Sequence, residues 1–170
     1  LALARELAPV FSALMITSRA GSAIATEIAS MRVTNQIDAL TTMSVNPVQY
    51  LIVPRVLAAT IATPIMALLA FLVGLGGAYL VGVYIMNVDG GIFFEKVTWI
   101  VDPDDVLQGV LKAAVFGFAL TMIACRQGFY AEGGAAGVGR ATNRAVVQAS
   151  VAILVLDYIL TAIIIEYDLL

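Results

Sequence analysis

From Gln49 to Met86 the chain carries a single charge, Arg55. An apolar run of that length has no use in a water-soluble domain, whereas a helix that crosses a bilayer needs roughly 20 apolar residues. Three further stretches have comparable reach, at about Leu7 to Ile28, Val106 to Cys125 and Ala145 to Ile165. The composition agrees, because 61% of residues are hydrophobic and 12% are charged, against about a quarter charged in soluble domains. The expected fold is an all-α polytopic bundle. It is one transmembrane domain over residues 1–170, with spans at about 5–28, 55–86, 106–125 and 145–165 and a short cytoplasmic helix.

The chain has one cysteine, Cys125, and no histidine. It can form neither an internal disulfide nor a Cys-His nucleophile pair, and the commonest general base and metal ligand is missing. No metal and no nucleic acid is expected as a partner. The glycine-rich stretch between Gln127 and Arg140 (GFYAEGGAAGVGR) is followed by no Gly-Lys-Ser/Thr, so it is not a phosphate-cradling loop. It reads as a hinge or close-contact loop, with Thr142 or Asn143 capping the last helix.

Charges between the spans alternate in sign. Arg32 and Arg55 flank the first connection, Asp89, Glu95, Asp102, Asp104 and Asp105 crowd the second, and Arg126, Arg140 and Arg144 bracket the third. The positive-inside rule then places residues 30–54 and 127–143 in the cytoplasm, with the acidic segment and the C-terminal Glu166 and Asp168 outside. Leu1 falls outside as well, so an odd number of earlier crossings, most simply one further span, is expected ahead of it. Residues 30–44 (SMRVTNQIDALTTMS) place Met31, Ile37, Leu40 and Met43 at near-helical spacing before an Asn46-Pro47 turn. This predicts an amphipathic helix beneath the membrane.

Two spans show small residues at i, i+4, i+8: Gly74, Ala78, Gly82 and Gly109, Ala113, Gly117. Such stripes let helices approach closely in lipid. Pro64 removes a backbone hydrogen bond from the second span and is expected to bend it. Ionisable residues at membrane depth are costly and mark functional sites by default. On an ideal helix Arg5, Ser12, Arg19 and Thr26 recur every seven residues and drift only about 20° per step, giving the first span one polar face. Arg19 and Glu27 are also placed to snorkel toward the cytoplasmic boundary. In the last span Asp157 has no charged neighbour on its own helix, and Lys112 matches its depth, so the two are expected to form an intramembrane ion pair.

The ordered runs RELAPVFSALMITSRAGSAIATEIASMRVTNQIDAL, VNPVQYLIVPRVLA and GGAAGVGRATNRAVVQASVAILVLDYILTA together resemble the MlaE (YrbE-like) family of permeases. The likeness covers nearly the whole chain, with Ala8 where the family often has glycine before Pro9. It implies the membrane subunit of an ABC transporter that moves phospholipids or related lipids between the membranes of a double-membrane envelope. The subunit would be non-catalytic and work as a dimer. Partner ATPase subunits beneath it would hold ATP and Mg, and a ring of MCE-domain proteins would sit above. The implied location is the inner membrane, with the chloroplast inner envelope as the lesser alternative. The resemblance places Arg5 and Glu6 in a lipid cavity at the dimer interface, a role extended to Ser12 and Arg19 on the same face. It places Glu27, Arg32, Gln36 and Asp38 on an ATPase-coupling helix. Two other readings stay open, a membrane-embedded lipid-modifying enzyme using Glu6, Glu27 or Asp157, and a proton-coupled secondary transporter with Asp157 as relay.

Overall fold

The computed structural model describes residues 1–168, so positions 169–170 of the expected domain, and the side chains of Tyr167 and Asp168, lie outside the described residues. Every element among them is helical: α1 (Leu3–Val33), α2 (Gln36–Thr42), α3 (Val48–Ile85), α4 (Gly90–Ile100), α5 (Pro103–Phe129) and α6 (Gly134–Asp168). Four of these, α1, α3, α5 and α6, are long and apolar enough to cross a membrane. The 31 residues of α1 rise about 46 Å, more than the hydrocarbon thickness of about 30 Å. The spans therefore project further past the basic end than hydropathy indicated.

The spans run alternately up and down, and α5 packs against the other three. Its contact face follows the 3.6-residue repeat, with Gly109, Lys112, Ala113, Phe116, Gly117, Leu120, Thr121, Ala124 and Gly128 all buried. Phe116 and Leu120 meet Ala13 of α1 and Ala149 and Ile153 of α6, and lower down Ala124 meets Ala25 and Ala145. Alanine and glycine at these crossings leave room for backbones to come close. A Cβ on Gly117 would stand 2.6 Å from the Ala59 carbonyl oxygen, and one on Gly128 would stand 2.7 Å from that of Ala25. Gly109 lies against the Ala4 carbonyl and Pro9.

Several expectations need correction. Among the described residues Gly74, Ala78 and Gly82 do not line one common seam: Ala78 is exposed, Gly74 meets the flexible end of Leu3 on α1, and Gly82 faces the ring of Phe93 on α4. The glycine-rich stretch is mostly helix, since α6 begins at Gly134. The turn needs glycine at Gly133 and Gly134, with φ of 89° and 64°, a left-handed region that other residues avoid, and a Cβ on Gly137 would collide with the Glu132 carbonyl. Thr142 consequently caps nothing, but donates to the Val138 carbonyl within the helix. The single amphipathic helix expected over residues 30–44 is cut in two. α1 continues to Val33, the chain turns through a left-handed Asn35 (φ 58°), and α2 begins at Gln36. Ile37 is buried against Ile28, Leu51 and Cys125, with Met31 and Leu40 beside them, while Met43 is 71% exposed.

Gly117→Leu should destabilise the detergent-solubilised protein by ~1–3 kcal/mol, as overpacked cores do, because the side chain would have to displace α3 backbone. Gly76→Ala, which meets open space, should be neutral or stabilising by up to ~1 kcal/mol. Thermal unfolding of the two variants measures the difference.

Candidate functional site

α1 is not a uniform α-helix. It opens with a π turn over Leu3–Leu7 and contains another over Thr17–Gly21. Each π turn holds more residues than an α turn and rotates the next stretch of helix about its axis, so the seven-residue register expected for Arg5, Ser12, Arg19 and Thr26 is not kept. Arg5 turns toward α5, Ser12 is buried and donates to the Met66 carbonyl of α3 at 3.4 Å, and Thr26 meets Thr142 of α6 at 2.7 Å. Arg19 is exposed beside α3.

At the acidic end the charged side chains converge on α5. Lys112 is 3% exposed, and its Nζ stands 2.8 Å from Glu6 Oε1 and 3.2 Å from Asp157 Oδ1. The same ammonium donates to Thr161 Oγ1 at 2.7 Å, and Thr161 donates to Glu6 Oε1 at 3.2 Å. Lys112 also donates to the Arg5 carbonyl at 3.4 Å, the oxygen that Pro9, lacking an N–H, cannot serve. Arg5 Nε donates to Asp105 Oδ1, whose other carboxylate oxygen accepts the Asp102 N–H at 3.0 Å. Lys112 and Asp157, paired on depth in the sequence, thus lie within ion-pair distance, and Glu6 joins them. Asp105, grouped by charge with the loop acids, is buried. Its signal was the Asp-Pro-x-Asp helix start, and that of Thr161 was its place one turn after Asp157.

Along the middle of α1 a groove of about 680 Å³ opens between Ser12, Met15 and Arg19 on one side and Met66, Leu69 and Val73 of α3 on the other. Its walls are almost wholly apolar. Arg19 is exposed, stands near the midpoint of α1, and has no polar side-chain partner among the described residues. The structure therefore brings Ser12 and Arg19 onto one groove and seats Arg5 and Glu6 in the adjacent ionic network. There each keeps 35% of its side chain exposed.

At the basic end Glu27 Oε1 pairs with Arg55 Nη2 at 2.9 Å, joining α1 to α3. Arg32 Nη1 pairs with Asp38 Oδ1 at 2.7 Å across the break before α2, and its guanidinium stands 6.0 Å from the Phe129 ring. Gln36 is exposed. The Arg32–Asp38 pair and Ile37 hold α2 against the bundle, with Gln36, Asp38, Thr41 and Thr42 exposed. Neither Arg55 nor Phe129 was foreseen as a member of this cluster.

Comparison with known proteins matches residues 1–163 to the family model described as Permease MlaE. The chain is 47% identical over 161 residues to a probable ABC transporter permease protein of Rickettsia felis, covering 95% of this chain and 62% of that protein. It is 41% identical over 167 residues to the intermembrane phospholipid transport system permease protein MlaE of Haemophilus influenzae, covering 96% and 63%. Against the chloroplastic protein TRIGALACTOSYLDIACYLGLYCEROL 1 of Arabidopsis thaliana it is 35% identical over 162 residues, covering 95% and 46%. The chain thus spans less than two thirds of the length of these relatives. A helical bundle with four membrane-length spans, matched to one family model along nearly its full extent, belongs to the MlaE permease family.

Proposed function

We propose that this chain is the lipid-moving core of an ABC transporter permease, carrying phospholipids or related lipids between the membranes of a double-membrane envelope. The observation that carries this reading is the apolar groove with Arg19 on its wall. Apolar walls accept acyl chains, and a guanidinium at membrane depth, with no polar side-chain partner among the described residues, is suited to bind a phosphate in a bidentate way. Two copies with their grooves facing would enclose a cavity, and Ser12 would add a hydroxyl to its wall. Arg5 and Glu6 border that cavity while paired, with enough exposure to meet a head group at its mouth.

Energy enters at the basic end. This chain has no Walker motif, so ATP and Mg belong to partner ATPase subunits docked on α2. Glu27, Arg32 and Asp38 would pass their movement to α1 and α3. An MCE-domain ring at the acidic end would receive the lipid. The relatives named as an intermembrane phospholipid transport permease and as ABC transporter permeases support a lipid permease powered by ATPase partners. The lipid-modifying enzyme has less support. Glu6 and Asp157 are committed to Lys112, and Glu27 lies at the opposite end of α1, so no pair of these carboxylates is free to share one substrate.

Arg19→Ala in the full transporter should reduce phospholipid retained in native mass spectra, and transfer between vesicles, several-fold, while ATPase subunits copurify in unchanged amount. Loss of the ATPase with lipid retained would contradict the groove assignment. Asp38→Lys should do the reverse, weakening ATPase copurification and leaving bound lipid in place. An unchanged complex would remove α2 as the docking element.

A further inference from the structure

We propose that α4 lies in the plane of the membrane at the acidic end of the bundle, its aromatic side chains seated among lipid head groups. The 11 residues of α4 rise about 16 Å, about half a hydrocarbon core, so the helix cannot cross. Its flanks fix its level, because it comes after the last turn of one span, α3, and before the first turn of another, α5. Asp89 Oδ1 accepts the Gly91 and Ile92 N–H groups at 2.8 and 3.2 Å, which starts the helix.

The chain then folds back. Phe93 and Phe94 stand 5.5 and 5.3 Å from the ring of Tyr79, and Phe93 rests on Gly82. Tyr79 and Gly82 belong to the final turns of α3, so α4 sits beside the span rather than above it. At that depth the sides of α4 turned away from α3 meet whatever surrounds the bundle.

Those sides mix large apolar and aromatic residues with Glu95, Lys96 and Thr98. Ile92 is 51%, Phe94 53% and Trp99 83% exposed, and Ile92, Lys96 and Trp99 fall at i, i+4, i+7 on one stripe. A tryptophan with a lysine one turn away is the composition of a membrane boundary, where the indole sits at head-group level and the ammonium reaches water. A helix with apolar residues on several faces is otherwise stable only when covered. The bilayer boundary is the cover that its position supplies.

Trp99 is the single tryptophan of the chain. In the full-length transporter reconstituted into lipid nanodiscs, subtracting the emission of Trp99→Phe from that of the unmodified protein isolates its signal. Its emission should be blue-shifted from that of free tryptophan. Phospholipids brominated close to the head group should quench it several-fold more than aqueous iodide does. Emission like free tryptophan with iodide as the stronger quencher would overturn the proposal, as would shielding that arises only when partner proteins are bound. The transport reading does not use α4, so it survives either outcome.

Discussion

The ammonium of Lys112 is the point on which this bundle depends. A lysine buried among spans is costly unless its charge is matched, and lipid offers no water to do it. Here Glu6 from α1, Asp157 and Thr161 from α6 and a carbonyl released by Pro9 all converge on the one group. Three of the four spans are tied at one level by a contact that admits little rearrangement. Apart from the Arg5–Asp105 and Glu27–Arg55 pairs, most of the remaining packing between spans is apolar, and its attraction in lipid has no hydrophobic drive and is weak per contact.

That anchor has consequences along α1. With its acidic end held by Lys112 and by the Arg5–Asp105 pair, and its basic end held by Glu27 to Arg55, the helix is fixed at both extremities. The π turn at Thr17–Gly21 lies between the two anchors. It contains Arg19. A groove residue thus sits on a π turn between two fixed ends.

Much of this was legible in the sequence, and the limits are physical. Four long apolar stretches can only be spans, and charge alternation orders them. Lys112 and Asp157 could be paired because each is a charge at similar depth with nothing beside it on its own helix. Glu6 could not be added to them, because an ideal-helix projection puts Arg5, Ser12 and Arg19 on one face and two π turns undo that projection. Asp105 was hidden by its company, one acid among five in a segment whose charge dominates its pattern. The same charge concealed α4, whose Phe93, Phe94 and Trp99 are an apolar signal inside an acidic loop. The break at Asn35 turns on one left-handed residue, which hydrophobic spacing does not register.

The central claim, that Lys112 is held by its two carboxylates and thereby holds the spans, is tested most directly by neutralising the cluster in steps and tracking thermal unfolding in nanodiscs. Lys112→Met alone leaves Glu6 and Asp157 together without their cation and should destabilise the protein by ~3–5 kcal/mol, the range for breaking a buried ion pair. Adding Glu6→Gln and Asp157→Asn to it should restore most of that loss. A Lys112→Met protein as stable as the original, or a triple variant no better than the single one, would contradict the account.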